Sequence, residues 1–154
     1  MNNINKPREN ALLNEREYKD KKIVLSSYPR TLFIQLDAPC NQDCLFCSRP
    51  VSYSYFNLEE YRRKFEDKLN PVFEKAERLI LTGSGELLSL PEAKKTINYF
   101  NSYGDAEKMF ATNGSSLTPK MIDLICANGN RYTIHVSLHS SGEATHSVMT
   151  KSVN

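Results

Sequence analysis

From Thr31 onward the chain alternates short apolar or β-branched runs with segments of helical period, and this alternation constrains the fold more than any other feature. Thr31 to Asp37 reads as a strand ended by Ala38-Pro39. Asn57 is placed to cap a helix whose apolar residues Leu58, Tyr61, Phe65 and Leu69 recur at threes and fours. Asn70-Pro71 fits a new cap and first helical residue, which predicts a break there and a short second helix to about Glu77. Leu79-Ile80-Leu81 follows as a buried strand. Pro91 opens a helix with Ala93, Ile97 and Phe100 inward and Gly104 closing it. Lys108 to Ala111 is the next strand, and Thr118-Pro119 opens a helix with Ile122 and Ile125 inward that Gly129 stops. Tyr132 to Val136 is a fourth strand, and a last helix begins near Gly142. Strands alternating with helices imply βαβ units, a parallel sheet and right-handed crossovers, an α/β fold.

In a parallel sheet all strand carboxyl ends lie on one side, where α/β sheets and barrels place their ligands. Each of the four strands ends in a polar, Gly or Cys cluster: Cys40 to Cys47, Gly83 to Glu86, Thr112 to Gly114 and Ser137 to Ser140. The topology therefore predicts that four separate motifs meet on one rim. Residues 1–30 read as an N-terminal extension, with a short surface helix in Arg8 to Asp20 around Leu12 and Leu13. A short strand, Ile23-Val24-Leu25, follows and is ended by Ser26-Ser27-Tyr28-Pro29.

Composition narrows the class without naming a partner. At 154 residues the chain is one domain or part of one, and its apolar and charged shares, 40% and 25%, are those of an ordinary globular protein. Its 20 basic and 18 acidic residues are well mixed, so no basic stripe points to nucleic acid. Met1 to Asn10 lacks the apolar core of a secretory signal, and no apolar run is long enough to span a bilayer. Three of the four cysteines crowd together, a poor framework for a disulfide-stapled secreted fold, and the expected compartment is the reducing cytoplasm.

Those three, Cys40, Cys44 and Cys47, carry the strongest chemical signal. Thiolates are soft ligands suited to zinc, copper(I) or iron–sulfur clusters. A closed zinc site needs four ligands, and His135, His139 and His146 sit at offsets of four and seven on a different element, unlike a finger pair. A [4Fe–4S] cluster held by three cysteines leaves one iron open to a small-molecule ligand. Three readings of the residues stand: an open cluster, a zinc module and a dithiol oxidoreductase.

Cys-x3-Cys-x2-Cys with Phe46 before the last cysteine resembles the signature of the radical S-adenosylmethionine (radical SAM) superfamily. The resemblance runs from about Thr31 to the C-terminus. It implies that Cys40, Cys44 and Cys47 hold a [4Fe–4S] cluster, that SAM chelates the fourth iron through its methionine part, and that Phe46 lies near the adenine. Thr82-Gly83-Ser84-Gly85-Glu86 resembles the family's Gly-Gly-Glu-Pro motif, whose backbone and Glu engage the methionine ammonium. Here Ser84 stands between the glycines and Leu87 replaces the Pro. Glycine lets backbone approach a ligand closely, and a carboxylate suits an ammonium; the plain alternative is a strand-to-helix turn. Thr112-Asn113-Gly114 resembles a Thr-Asn-Gly near the cofactor, or equally a turn with Asn in the left-handed region. Ser137-Leu138-His139-Ser140 resembles Ser-Leu-Asp-Gly, in which Ser137 would contact the SAM ribose, while His139 reads as structural or solvated.

The resemblance implies a partial parallel (β/α) barrel of the radical SAM type, its first four βα units, with residues 31–154 as the N-terminal part of that core. It further implies reductive cleavage of SAM to a 5′-deoxyadenosyl radical, an electron donor such as flavodoxin or ferredoxin, and a small-molecule or peptide substrate. The lead-in Ser27-Tyr28-Pro29-Arg30-Thr31-Leu32-Phe33-Ile34 is similar to peptide-modifying members with a SPASM or twitch domain. Three residue readings are plainer. Cys126 is a small core hydrophobe, Arg49 a surface residue, and the tyrosines, Tyr53 and Tyr55 among them, serve packing and surface. Because such cores usually have six βα units, the last strand is expected to expose an unpaired edge. This segment alone is therefore expected to aggregate; a cooperative thermal transition of a monomer, followed by calorimetry and light scattering, would contradict that.

Overall fold

In the computed structural model the described residues are 5–48 and 54–151; Arg49 and Tyr53 lie outside them. Four strands form one sheet: β1 (Thr31–Gln35), β2 (Arg78–Thr82), β3 (Glu107–Thr112) and β4 (Tyr132–Val136). All neighbours are parallel and the order is β1-β2-β3-β4, so each βα unit adds its strand beside the last. The helices are α1 (Lys6–Lys19), α2 (Leu58–Phe73), α3 (Ala93–Asn101), α4 (Pro119–Ile125) and α5 (Glu143–Thr150). One 3₁₀ turn, Leu87–Ser89, sits between β2 and α3, and a second, Ala127–Gly129, follows α4.

The pleat sorts the two faces. Ile34, Leu79, Leu81 and Phe110 point to one side and join Phe73, Ile97, Phe100, Met121 and Ile125 in one buried core. That core therefore draws on α2, α3 and α4 together, the arrangement of a singly wound, barrel-type sheet. On the other face, register aligns Phe33, Ile80, Met109 and Thr133 across the four strands. Phe33 there is 73% exposed, so this side stands uncovered among the described residues.

The caps follow the sequence closely. Asn57 accepts the Glu60 N–H and Thr118 the Met121 N–H, each meeting an orphan donor of the first turn. Other expectations are corrected. No break occurs at Asn70-Pro71: α2 runs on to Phe73 with Glu74 N–H donating to the Asn70 carbonyl at 3.0 Å. Proline forfeits one ladder bond there, and the burial of Phe73 against the Phe100 and Tyr103 rings, centroids 6.2 and 5.3 Å away, offsets it. On the same helix Phe65 is 45% exposed; Leu58, Tyr61, Leu69 and Phe73 carry the inner face. On α4 the inward pair is Met121 and Ile125, spaced by four, which turns Ile122 and Cys126 outward. Cys126 is an exposed residue, not a core hydrophobe.

The N-terminal segment differs most. Ile23-Val24-Leu25 forms no strand, and Ile23 and Val24 stand open to solvent. The backbone here is tied to α1 instead of to a sheet edge: Lys21 turns through a left-handed φ of 53°, and the Ser26 and Ser27 N–H groups donate to the Glu17 carboxylate at 2.9 and 3.0 Å. Helix α1 is also more than a surface extension. Buried Asn10 donates to the Tyr28 and Lys75 carbonyls and accepts from Tyr28 N–H, fastening the extension to the end of α2.

Two buried charges give stability a pH dependence of known sign. The Ser26 N–H, and then Ser27, hold the Glu17 carboxyl down to about 2 from the ordinary 4.5. The native state therefore binds fewer protons than the unfolded chain between these values, and the contribution, present above pH 4.5, is lost as pH falls through about 2. Lys108 is fully buried on β3 and donates to the Tyr103 carbonyl and Asn130 Oδ1, both at 2.6 Å. Burial, helped by nearby Arg131, lowers it from 10.5 to about 8. Between those values the unfolded chain binds the extra proton, so stability rises with pH. Denaturant midpoints measured across pH should fall on acidification below 4.5, less so in Glu17→Gln, and rise from 8 toward 10, a rise that Lys108→Met removes.

Candidate metal and cofactor site

The four strand ends converge. Beyond β1 the chain stays against β2: Leu36 N–H donates to the Thr82 carbonyl at 2.6 Å, Ala38 N–H to the Ser84 carbonyl at 2.8 Å, and Glu86 N–H returns to Pro39 at 3.1 Å. Asp37 Oδ1 accepts the Ser84 N–H at 2.7 Å. This interlock requires glycine at position 83. Its φ is 151°, and a Cβ there would lie 2.7 Å from the Leu36 carbonyl carbon and oxygen. Gly85, with φ 92°, completes the turn.

Glu86 turns inward and is only 2% exposed. Its Oε1 accepts the Thr112 hydroxyl at 2.8 Å and the Leu88 N–H at 3.2 Å, while Oε2 accepts the Asn113 N–H at 2.7 Å. The carboxylate so joins the β2 turn to the end of β3, and its donors are groups of the chain itself. From Asn113 the linkage continues into the cysteine loop, Asn113 Nδ2 donating to Asn41 Oδ1 at 2.8 Å and Asn41 Nδ2 to Ser115 Oγ at 2.6 Å. Half-buried Ser137 follows β4, its N–H donating to the Thr112 carbonyl at 2.8 Å.

None of the four cysteines forms a disulfide. Cys40 and Cys44 are half-buried and Cys47 is exposed; Cys47 N–H donates to the Cys44 carbonyl at 3.0 Å, and Cys44 Sγ lies 3.7 Å from Gln42 Oε1. Among the described residues no three Cys, His, Asp or Glu side chains converge as a metal-holding group. The donor set, three thiols on one loop at the ligand-binding end of the sheet, nonetheless suits a soft metal or an iron–sulfur cluster. Phe46 packs its ring against His139, centroids 4.5 Å apart, so both residues belong to one contact across the rim.

A pocket of about 220 Å³ opens beside the Gly83–Gly85 turn, with Ile80, Met109, Ala111 and His135 among its walls. A larger cleft of about 900 Å³ between α2 and α3 reaches Gly104 to Ala106, just before β3 and so at the opposite end of the sheet; neither Cys nor His lines it. Sequence reasoning missed Asn41, Ser115 and His135. Asn41 lies inside the cysteine loop and Ser115 directly after Thr-Asn-Gly, while alternation along β4 puts His135 on the uncovered face beside Ala111.

The fold and rim define an α/β protein with a parallel sheet and a thiol-rich loop at its ligand end. No family model matches the chain. It is similar to an AdoMet-dependent heme synthase of Methanosarcina barkeri, 25% identical over 124 residues, which cover 80% of this chain and 35% of that protein. The chain thus spans about a third of that relative's length. Its fold matches the crystal structure of selenomethionine BtrN in an open conformation with a TM-score of 0.57 at 18% identity, covering 79% of this chain and 56% of BtrN. Among the described residues no helix is long and apolar enough to cross a membrane.

Gly83→Ala should destabilise the fold by roughly 1–3 kcal/mol, since backbone at the clash cannot yield as a flexible side chain would. Gly104→Ala, where an added Cβ meets nothing within 4 Å, should change stability by less than about 0.5 kcal/mol. Urea midpoints of the two variants check the contrast.

Proposed function

We propose that the chain is part of a radical SAM enzyme whose cluster loop is Cys40 to Cys47. One observation carries the reading: the loop bearing the cysteines is hydrogen-bonded through Asn41 and Asn113 to the buried Glu86, so the segments that resemble the superfamily's motifs are joined on one rim. The similarity to a protein named AdoMet-dependent heme synthase supports it, as does the BtrN-like fold.

In this reading Cys40, Cys44 and Cys47 would hold a [4Fe–4S] cluster, which with SAM would supply reductive cleavage of the sulfur–carbon bond to methionine and a 5′-deoxyadenosyl radical for hydrogen abstraction. The chain's own part is to bind and orient. Gly83 and Gly85 line the pocket beside the turn, where bare backbone would meet the amino-acid end of the cofactor. Glu86 would be the residue that engages the methionine ammonium; its carboxylate, buried and accepting three donors of the chain itself, fixes the turn at the end of β2. Asn113 and Ser137, at the ends of β3 and β4, would contact the cofactor, Ser137 at its ribose, and Phe46 would lie near its adenine. An electron carrier such as flavodoxin or ferredoxin supplies the reductant, and the substrate is a small molecule or a peptide. The proposal stops at the superfamily and does not extend to the SPASM or twitch branch.

Anaerobic reconstitution of the full-length protein with iron and sulfide, followed by dithionite and SAM, should release 5′-deoxyadenosine detectable by chromatography. Cys44→Ala should reduce that product to background. Equal product from the variant, or zinc without acid-labile sulfide in protein purified without oxygen, would overturn the reading in favour of a dithiol or zinc module.

A further inference from the structure

The cysteine loop is held on a second side, by the segment that follows β4. Helix α5 ends against the loop, and its last carbonyls accept two loop amides: Asp43 N–H to Thr150 at 3.1 Å and Leu45 N–H to Met149 at 2.9 Å. These two donors flank Cys44. Lys151, turned by a left-handed φ of 45°, closes the helix and puts its Nζ 3.2 Å from Asp43 Oδ2. A row of rings makes the other half of the contact. Phe46 lies edge-on to His139 with centroids 4.5 Å apart, and His139 stacks on His146 at 6.4 Å with 13° between planes.

The energetics point to the rings and the helix end over the ion pair. Lys151 and Asp43 are 51% and 69% exposed, so their pairing is screened by solvent and weak. The His146 ring is half-buried, and its Nδ1 is out of contact with water and has no hydrogen-bond partner among the described residues. A buried ring nitrogen left without a partner is unfavourable, so the ring is kept in place by its packing rather than by a hydrogen bond. The helix end supplies two acceptors at fixed positions on either side of the central cysteine.

We propose that α5 is the brace that sets the conformation of the cysteine loop, with His139 and His146 as positioning residues acting through Phe46. The proposal rests on the preceding reading only in taking this loop to be the ligand-bearing one. The brace is a property of the chain itself and is measurable without metal.

Hydrogen exchange of the full chain, metal-free, followed on peptides covering residues 40–48, tests it. Asp43 and Leu45 amides should exchange slowly in the wild type. Val148→Pro, at an exposed position in the last turn of α5, should speed their exchange on the order of tenfold or more while β2 and β3 amides stay protected. His139→Ala should do the same to a smaller extent, and His139→Phe, which keeps a ring against Phe46, should restore protection. Unchanged loop exchange in Val148→Pro with α5 itself opened would overturn the brace; so would equal protection in the Ala and Phe variants at His139. If Val148→Pro fails to fold, the His139 pair decides alone. Iron and sulfide uptake by the same proteins separates the two proposals: a wild type that binds no cluster but shows this exchange pattern keeps the brace and loses the radical SAM reading, and normal cluster uptake with unaltered exchange does the reverse.

Discussion

A carboxylate nearly removed from water at the end of β2 organises the ligand end of this protein. A buried charge of this kind is tolerated only when its oxygens are met by donors, and the donors Glu86 finds are the Leu88 N–H, the Thr112 hydroxyl and the Asn113 N–H. Two of these belong to the end of β3, so satisfying the charge pins neighbouring strand ends to each other. Asn113 then presents its side chain to Asn41 in the loop after β1. Three rim segments are fixed by one desolvated group and its immediate partners, and the close approach of Gly83 to Leu36 keeps the first two in register.

The division of the sheet into two faces determines where chemistry has room. One face is filled by α2, α3 and α4, whose buried residues share a core with Ile34, Leu79, Leu81 and Phe110. The opposite face carries Phe33, Ile80, Met109, Ala111, Thr133 and His135, and the pocket beside the Gly-x-Gly turn opens on that side. Polar backbone, a histidine and a small residue at Ala111 meet there because β3 and β4 present alternate residues to it. The rim and the uncovered face thus form one continuous surface.

Much of this was legible in the sequence, and the omissions have physical causes. The four strands, the caps at Asn57 and Thr118 and the convergence of four polar clusters follow from local pattern plus the single fact that parallel strands end on one side. The errors came where a local signal met a tertiary competitor. Proline 71 reads as a helix start, yet one missing ladder bond weighs less than the burial of Phe73. Ile23 to Leu25 reads as a strand, yet Glu17 captures the amides that follow it. Ile122 and Cys126 share a spacing of four with Met121 and Ile125, so periodicity alone left the inner stripe undetermined by one residue. At the site, residue types were readable but pairings were not: Asn41 with Asn113 and Phe46 with His139 join positions distant in the chain.

The way the cysteine loop is held separates two kinds of order. Its backbone is fixed on one side by Asn41 to the β3 turn and on the other by the end of α5, with hydrogen bonds at Asp43 and Leu45 bracketing Cys44. Its thiols, by contrast, do not converge as a group, and Cys47 is exposed. Turning a cysteine between staggered rotamers moves the sulfur without breaking any backbone hydrogen bond, whereas moving the loop backbone would break several. A frame of this construction orders the loop backbone around Cys44 independently of how its thiols are oriented. Backbone order is the larger entropic cost of fixing a segment, and for this loop the fold itself meets it through the bonds to Asn113, Ser115 and the end of α5.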